Sequence, residues 1–119
     1  MRAINLALVG VMTMSVAMAD ETDDAHRLAV SGRDGYWNCL AREFPRESNK
    51  GLSERDFGAL IAGACPSERQ NFRVALTAFL GLQFPNGEAG ANLTTANNAI
   101  ALAQKDIVTA FVRRKAAAQ

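Results

Sequence analysis

Cys39 and Cys65 are the two residues of this sequence with the most distinctive chemistry, and 25 residues lie between them. A redox dithiol normally uses a C-x-x-C pair at a helix start, where the helix lowers the pKa of one thiol; this spacing does not supply that. In a small chain bearing an export leader, two cysteines are expected to be joined as one disulfide. Closing a loop of this length stabilises a fold by roughly 3.5 kcal/mol in the chain-entropy model, a large share of the ~5–15 kcal/mol that holds a small domain together. No other catalytic or metal-binding set stands out. His26 is the single histidine, whereas structural zinc takes four Cys or His ligands, so neither a metal nor a cofactor is expected. C-x-x-C-H is absent, and no serine has a nucleophile-elbow context. Glu43, Glu47 and Asp56 are the remaining candidates for acid–base work, and the chain is expected not to be an enzyme. His26 is expected at the surface, near an acidic helix start.

Beside Cys39 stand Tyr36 and Trp37. Adjacent helical residues point about 100° apart, so only one of the two can face a core fully. Tyr36 shares the cysteine face. Trp37 is then either an edge residue packed on the last helix or a partly exposed anchor at a protein interface, where Trp is enriched. Asn92-Leu93-Thr94 matches a glycosylation acceptor and serves equally as a helix cap.

The chain opens with Met1-Arg2, an apolar run from Ala3 to Val16, and Ala17-Met18-Ala19 before the acidic stretch Asp20–Asp24. A positive start, an apolar run and small residues before a junction make a signal peptide, with cleavage expected after Ala19. The run of 14 residues is shorter than the ~17–25 that a membrane-spanning helix needs, so no membrane span is expected after cleavage. All four methionines fall within this leader. The expected organisation is therefore a signal peptide over 1–19 and a single domain over 20–119, in the periplasm or outside the cell.

The mature part has 22 Leu, Ile, Val and Phe residues among 100, just above the ~20% below which chains fail to bury a core. A covalent tie would help so small a core. Its 12 Lys and Arg balance 12 Asp and Glu, which argues against nucleic-acid binding, since that requires a basic excess on one face. Acids gather at Asp20–Asp24 and bases at Arg113-Arg114-Lys115, as helix starts and ends favour. A basic tail touching anionic lipid or a partner is the alternative.

Apolar spacing of three and four recurs throughout, which predicts an all-α chain, a small bundle of three to four helices tied by one disulfide. The first helix is expected from near Thr22 to about Glu43, burying Leu28, Gly32, Tyr36, Cys39 and Leu40. Gly32 and Gly35 either break it or permit a close helix approach. Phe44-Pro45 ends it, because the residue before a proline is driven from the α region. Ser53 with Asp56 makes a capping box for a second helix that buries Phe57, Leu60, Ile61, Ala64 and Cys65. Ser67-x-x-Gln70 caps a third, with Phe72, Ala75, Leu76, Phe79 and Leu80 inward, either separate from the second or continuous with it as a bent rod. Phe84-Pro85-Asn86-Gly87 is a turn. A fourth helix, capped by Asn92 or Thr94, buries Ala96, Ile100, Ala103, Ile107 and Phe111, flanked by Val108 and Val112.

At Tyr36-Trp37-Asn38-Cys39-Leu40 and Ala64-Cys65 the chain resembles a group of small, exported, uncharacterised bacterial helical proteins whose hairpin is tied by one disulfide. That resemblance implies no activity. Trp37-Asn38-Cys39, Ala64-Cys65 and Gln70-Asn71-Phe72 also resemble the periplasmic acid-stress chaperones, which join a Trp-x-Cys and an Ala-Cys segment; the loop between the cysteines is shorter here. This second resemblance implies binding of unfolded clients once acid exposes apolar surface. The expected role is a non-enzymatic interaction or structural module of the cell envelope, with the chaperone as alternative. A protein partner is expected without being identified by the sequence, and neither is an oligomeric state.

Overall fold

The computed structural model describes the backbone of residues 5–118 and the side chains of residues 19–118. Met1 and Arg2, the positive start of the leader, lie outside the described residues, as do the side chains of its apolar run. Four α-helices and one short 3-10 turn make up the described chain, with no strand among the described residues: α1 (Asn5–Ala41), the turn Glu47–Asn49, α2 (Glu54–Gly63), α3 (Pro66–Gln83) and α4 (Ala89–Ala118).

The helix expected to start near Thr22 is instead the latter part of α1, which crosses the Ala19–Asp20 junction without a break. Ala17, Met18, Ala19 and Glu21 are good helix formers and neither proline nor glycine stands near the junction, so nothing local stops the helix there. Gly32 and Gly35 do not break it either. A Cβ on Gly32 would stand 3.1 Å from the Phe72 Cα, whereas one on Gly35 would meet nothing within 4 Å. Gly32 thus lies directly against the backbone of α3, and Gly35 faces open space.

That approach also sets the rotation of α1. Leu28, expected inside, is 65% exposed, while Ala29 is buried in its place together with Tyr36 and Leu40. Both rotations satisfy helical spacing through Gly32. The one adopted puts the smaller residue against α3, because a leucine cannot occupy an interface only a hydrogen atom deep.

α1 unwinds through three short backbone bonds, from the amides of Arg42, Glu43 and Phe44 to the carbonyls three residues earlier. Asn49 then fixes the loop. Buried at 5% exposure, its Nδ2 donates to the Glu43 carbonyl at 3.0 Å and to Glu43 Oε2 at 2.9 Å. Ser53 caps α2 as expected, its Oγ accepting from the Asp56 amide at 3.1 Å.

α2 and α3 are separate helices rather than one rod. Ala64 is extended and Cys65 left-handed, with φ 53° and ψ 52°. Pro66 denies its predecessor the right-handed helical region, and it occupies the first turn of α3, where its missing N–H costs nothing. The expected Ser67 cap is therefore not used, and Cys65 takes the N-cap position without a side-chain bond. Arg69 satisfies part of the end of α2, its Nη1 donating to the Ala62 carbonyl at 2.6 Å.

The turn at Phe84–Gly87 forms, closed by the Gly87 amide on the Phe84 carbonyl at 2.9 Å. α4 then starts at Ala89, ahead of the expected caps. Thr94 and Thr95 lie inside the helix and donate to the carbonyls of Gly90 and Ala91, four residues back. Once the backbone is helical, these hydroxyls bond within it rather than capping it.

α1 lies chiefly along α3, and α2 and α3 both pack on α4. Ala96, Ile100, Ala103, Ile107 and Phe111 of α4 are all buried, as their spacing predicts. They meet Tyr36, Leu40, Phe57, Ile61 and Phe72 in one cluster. Phe57 and Phe111 stack with centroids 3.8 Å apart. Each large apolar side chain fully buried here contributes about 1.5–3 kcal/mol. Leu60, expected inward on α2, is 38% exposed; α2 meets only α4 broadly and so has a single narrow buried edge, Phe57 and Ile61.

Candidate functional site

Among the described residues, the places to compare as candidate sites are the corner at the disulfide and two open grooves. Cys39 and Cys65 are bonded, with their Cα atoms 6.2 Å apart. The tie joins the last turn of α1 to the junction between α2 and α3, not to α2 itself as the spacing suggested. Glu68 stands beside it, so that its carboxylate and the two sulfurs lie within 4.8 Å of one another. Metal ligation by cysteine needs thiolates, and these sulfurs are spent on each other. Trp37, two residues before Cys39 and so about 200° round α1 from it, is 38% exposed, whereas Tyr36 is fully buried. Gln104 Nε2 donates to the Tyr36 hydroxyl at 3.0 Å, fastening α4 to α1.

The first groove holds about 500 Å³ at the carboxyl end of α4, against the loop that follows α1. Its apolar surface is Phe44, Pro45 and Phe111, and its polar groups are Lys50, Arg114 and Lys115. Among the described residues no carboxylate lines it. The Arg114 guanidinium lies over the Phe44 ring at 5.1 Å. Lys115 Nζ donates to the Leu52 carbonyl at 2.7 Å and lies 5.6 Å from the Phe111 ring centre. Both cations therefore rest on neutral partners. Lys50 is paired with Glu47 at 2.9 Å.

The second groove, also about 500 Å³, runs between α1 and α3 and is lined chiefly by Leu28, Gly32, Gly35, Val74, Ala75 and Ala78. Glu68, near the disulfide, is the one charged residue among the described residues lining it. Leu28 and Val74, at 65% and 57% exposure, form its rims.

His26 is exposed and its ring packs 5.0 Å from Phe79, tilted by 57°. Of the three acids considered for chemistry, Glu43 is held by Asn49 and lies 3.5 Å from Arg46, Glu47 pairs with Lys50, and Asp56 sits exposed in the first turn of α2. The structure does not gather them around one cavity. The basic groove was missed in the sequence because Arg113-Arg114-Lys115 had a sufficient account as a helix end. One signal marked it: Ile107, Phe111 and Lys115 are spaced by four, so Lys115 continues the buried stripe of α4.

Comparison with known protein families, curated proteins and solved structures finds no match for this chain.

Proposed function

We propose that the chain is exported and that its mature part is a non-enzymatic interaction or structural module of the cell envelope. The observation that carries this reading is the Cys39–Cys65 disulfide, since such bonds persist in oxidising compartments and are rare in the cytosol. Two others agree with it. The leader ends in Ala17-Met18-Ala19 ahead of an acidic stretch, and among the described residues no helix is long and apolar enough to cross a membrane. Trp37 offers a partly exposed aromatic surface on the helix that the covalent tie anchors, the kind of residue on which protein interfaces depend. A photo-crosslinking amino acid at position 37, expressed in the native host, should trap one recurring envelope protein. Recovery of none, in material shown to be oxidised and cleaved after Ala19, would overturn the module reading.

Acid-stress chaperone activity is the second reading, favoured by Leu28 and Val74, exposed together on the apolar groove between α1 and α3, a patch on which an unfolded client can rest. At about pH 2–3, below the ordinary carboxylate pKa values, the protein should suppress light scattering of an aggregating client. Unchanged scattering rejects this reading.

A further inference from the structure

The groove at the end of α4 has properties that packing alone does not require. It brings Lys50, Arg114 and Lys115 to the edge of an apolar surface made by Phe44, Pro45 and Phe111. Among the described residues neither Arg114 nor Lys115 has a carboxylate partner; one rests on an aromatic face and the other on a backbone carbonyl and an aromatic face. Lys50 has one acidic neighbour, Glu47 at 2.9 Å, in an exposed pair that holds it weakly. The mature side chains sum to zero charge, so Arg114 and Lys115, beside a cavity whose described lining holds no acid, are a local excess.

From this geometry we infer a binding site for one molecule of an anionic amphiphile, specifically a fatty carboxylate, with its head at Arg114 and Lys50 and its apolar body along Phe44, Pro45 and Phe111. The arginine fork matches the two oxygens of a carboxylate. Lys115, already tied to Leu52, adds positive potential from the half-buried side. The volume of about 500 Å³ falls within the ~300–1,000 Å³ of small-molecule sites. It suits a single bound molecule rather than the surface of a bilayer. The α1–α3 groove has similar capacity and rims of Leu28 and Val74, yet among the described residues its one charged lining residue is Glu68, so it would repel the same head. This site is independent of the envelope-partner reading, because a titration of purified protein reports on the groove whether or not position 37 crosslinks.

The test is calorimetric titration of the oxidised protein with sodium dodecanoate below its micelle concentration, alongside dodecanol and phosphatidylglycerol vesicles. Saturable one-to-one binding of dodecanoate is expected, at least tenfold tighter than dodecanol and weakened by added salt. Arg114→Gln and Lys50→Gln, both at exposed positions, should retain the helical circular dichroism of the parent and stay folded at the titration temperature while weakening dodecanoate binding, together by tenfold or more. The proposal is overturned if dodecanoate does not saturate, if dodecanol binds equally well, if the folded variants bind as the parent does, or if vesicles alone are bound.

Discussion

The groove at the end of α4 and the groove between α1 and α3 each hold about 500 Å³, but they arise in opposite ways. The α1–α3 groove exists because side chains are missing. Gly32 lets two backbones nearly touch, Gly35 presents nothing beyond that contact, and alanines line the α3 side. The groove at α4 exists because side chains are long. Phe44, Arg114 and Lys115 lean on one another and on Phe111, leaving a concavity between them. The first is a consequence of how two helices pack; the second places charge and aromatic surface together in the absence of a carboxylate lining. A hollow of given size is therefore not evidence of a ligand until its walls are compared.

That comparison can be strained experimentally, beginning with the bond that closes the α1–α3 side. Reduction, or Cys39→Ser with Cys65→Ser, should lower unfolding free energy by about 3.5 kcal/mol for a loop of this length, read as a fall in the urea midpoint. Gly32→Ala should come next, costing about 1–3 kcal/mol, because its methyl meets the α3 backbone rather than a flexible side chain. Gly35→Ala, only three residues along the same helix, should raise stability by up to ~1 kcal/mol, since the methyl enters open space and Ala is the better helix former. If both glycine variants shift the melting midpoint in the same direction, the account of this groove as a packing by-product fails. Arg114→Gln should change stability least, by no more than ~1 kcal/mol for an exposed cation–π contact. A larger loss would mean that the basic groove, too, is chiefly structural.

The all-α architecture, the disulfide pairing and the whole buried stripe of α4 were legible in the sequence, and the reason is visible in the residues. From Ala96 to Phe111 no glycine, proline or competing apolar face disturbs a spacing of three and four. On α1 two rotations fitted equally, and the intuitive one buried the larger residue, Leu28. What decided the matter was a long-range fact, the 3.1 Å approach to Phe72, which no local pattern contains. The cap at Ser67 failed for a related reason. Its pattern was correct, but Pro66 had already fixed where α3 begins. Asn49 was illegible as a structural residue, since a polar side chain reveals a buried role only when its partner, Glu43, is seen in space; for Lys115 the spacing marked the position but not its partner, the Leu52 carbonyl.

Cys65 is the one non-glycine residue with positive φ among the described residues, and that has a practical corollary for anyone preparing the protein in a reducing host. Serine, the customary stand-in for cysteine, suits the side chain but not this backbone. Glycine adopts the left-handed region freely, and asparagine does so more readily than most residues. A cysteine-free form carrying Cys65→Gly or Cys65→Asn, paired with Cys39→Ala, is thus the better route to a folded reagent without the crosslink.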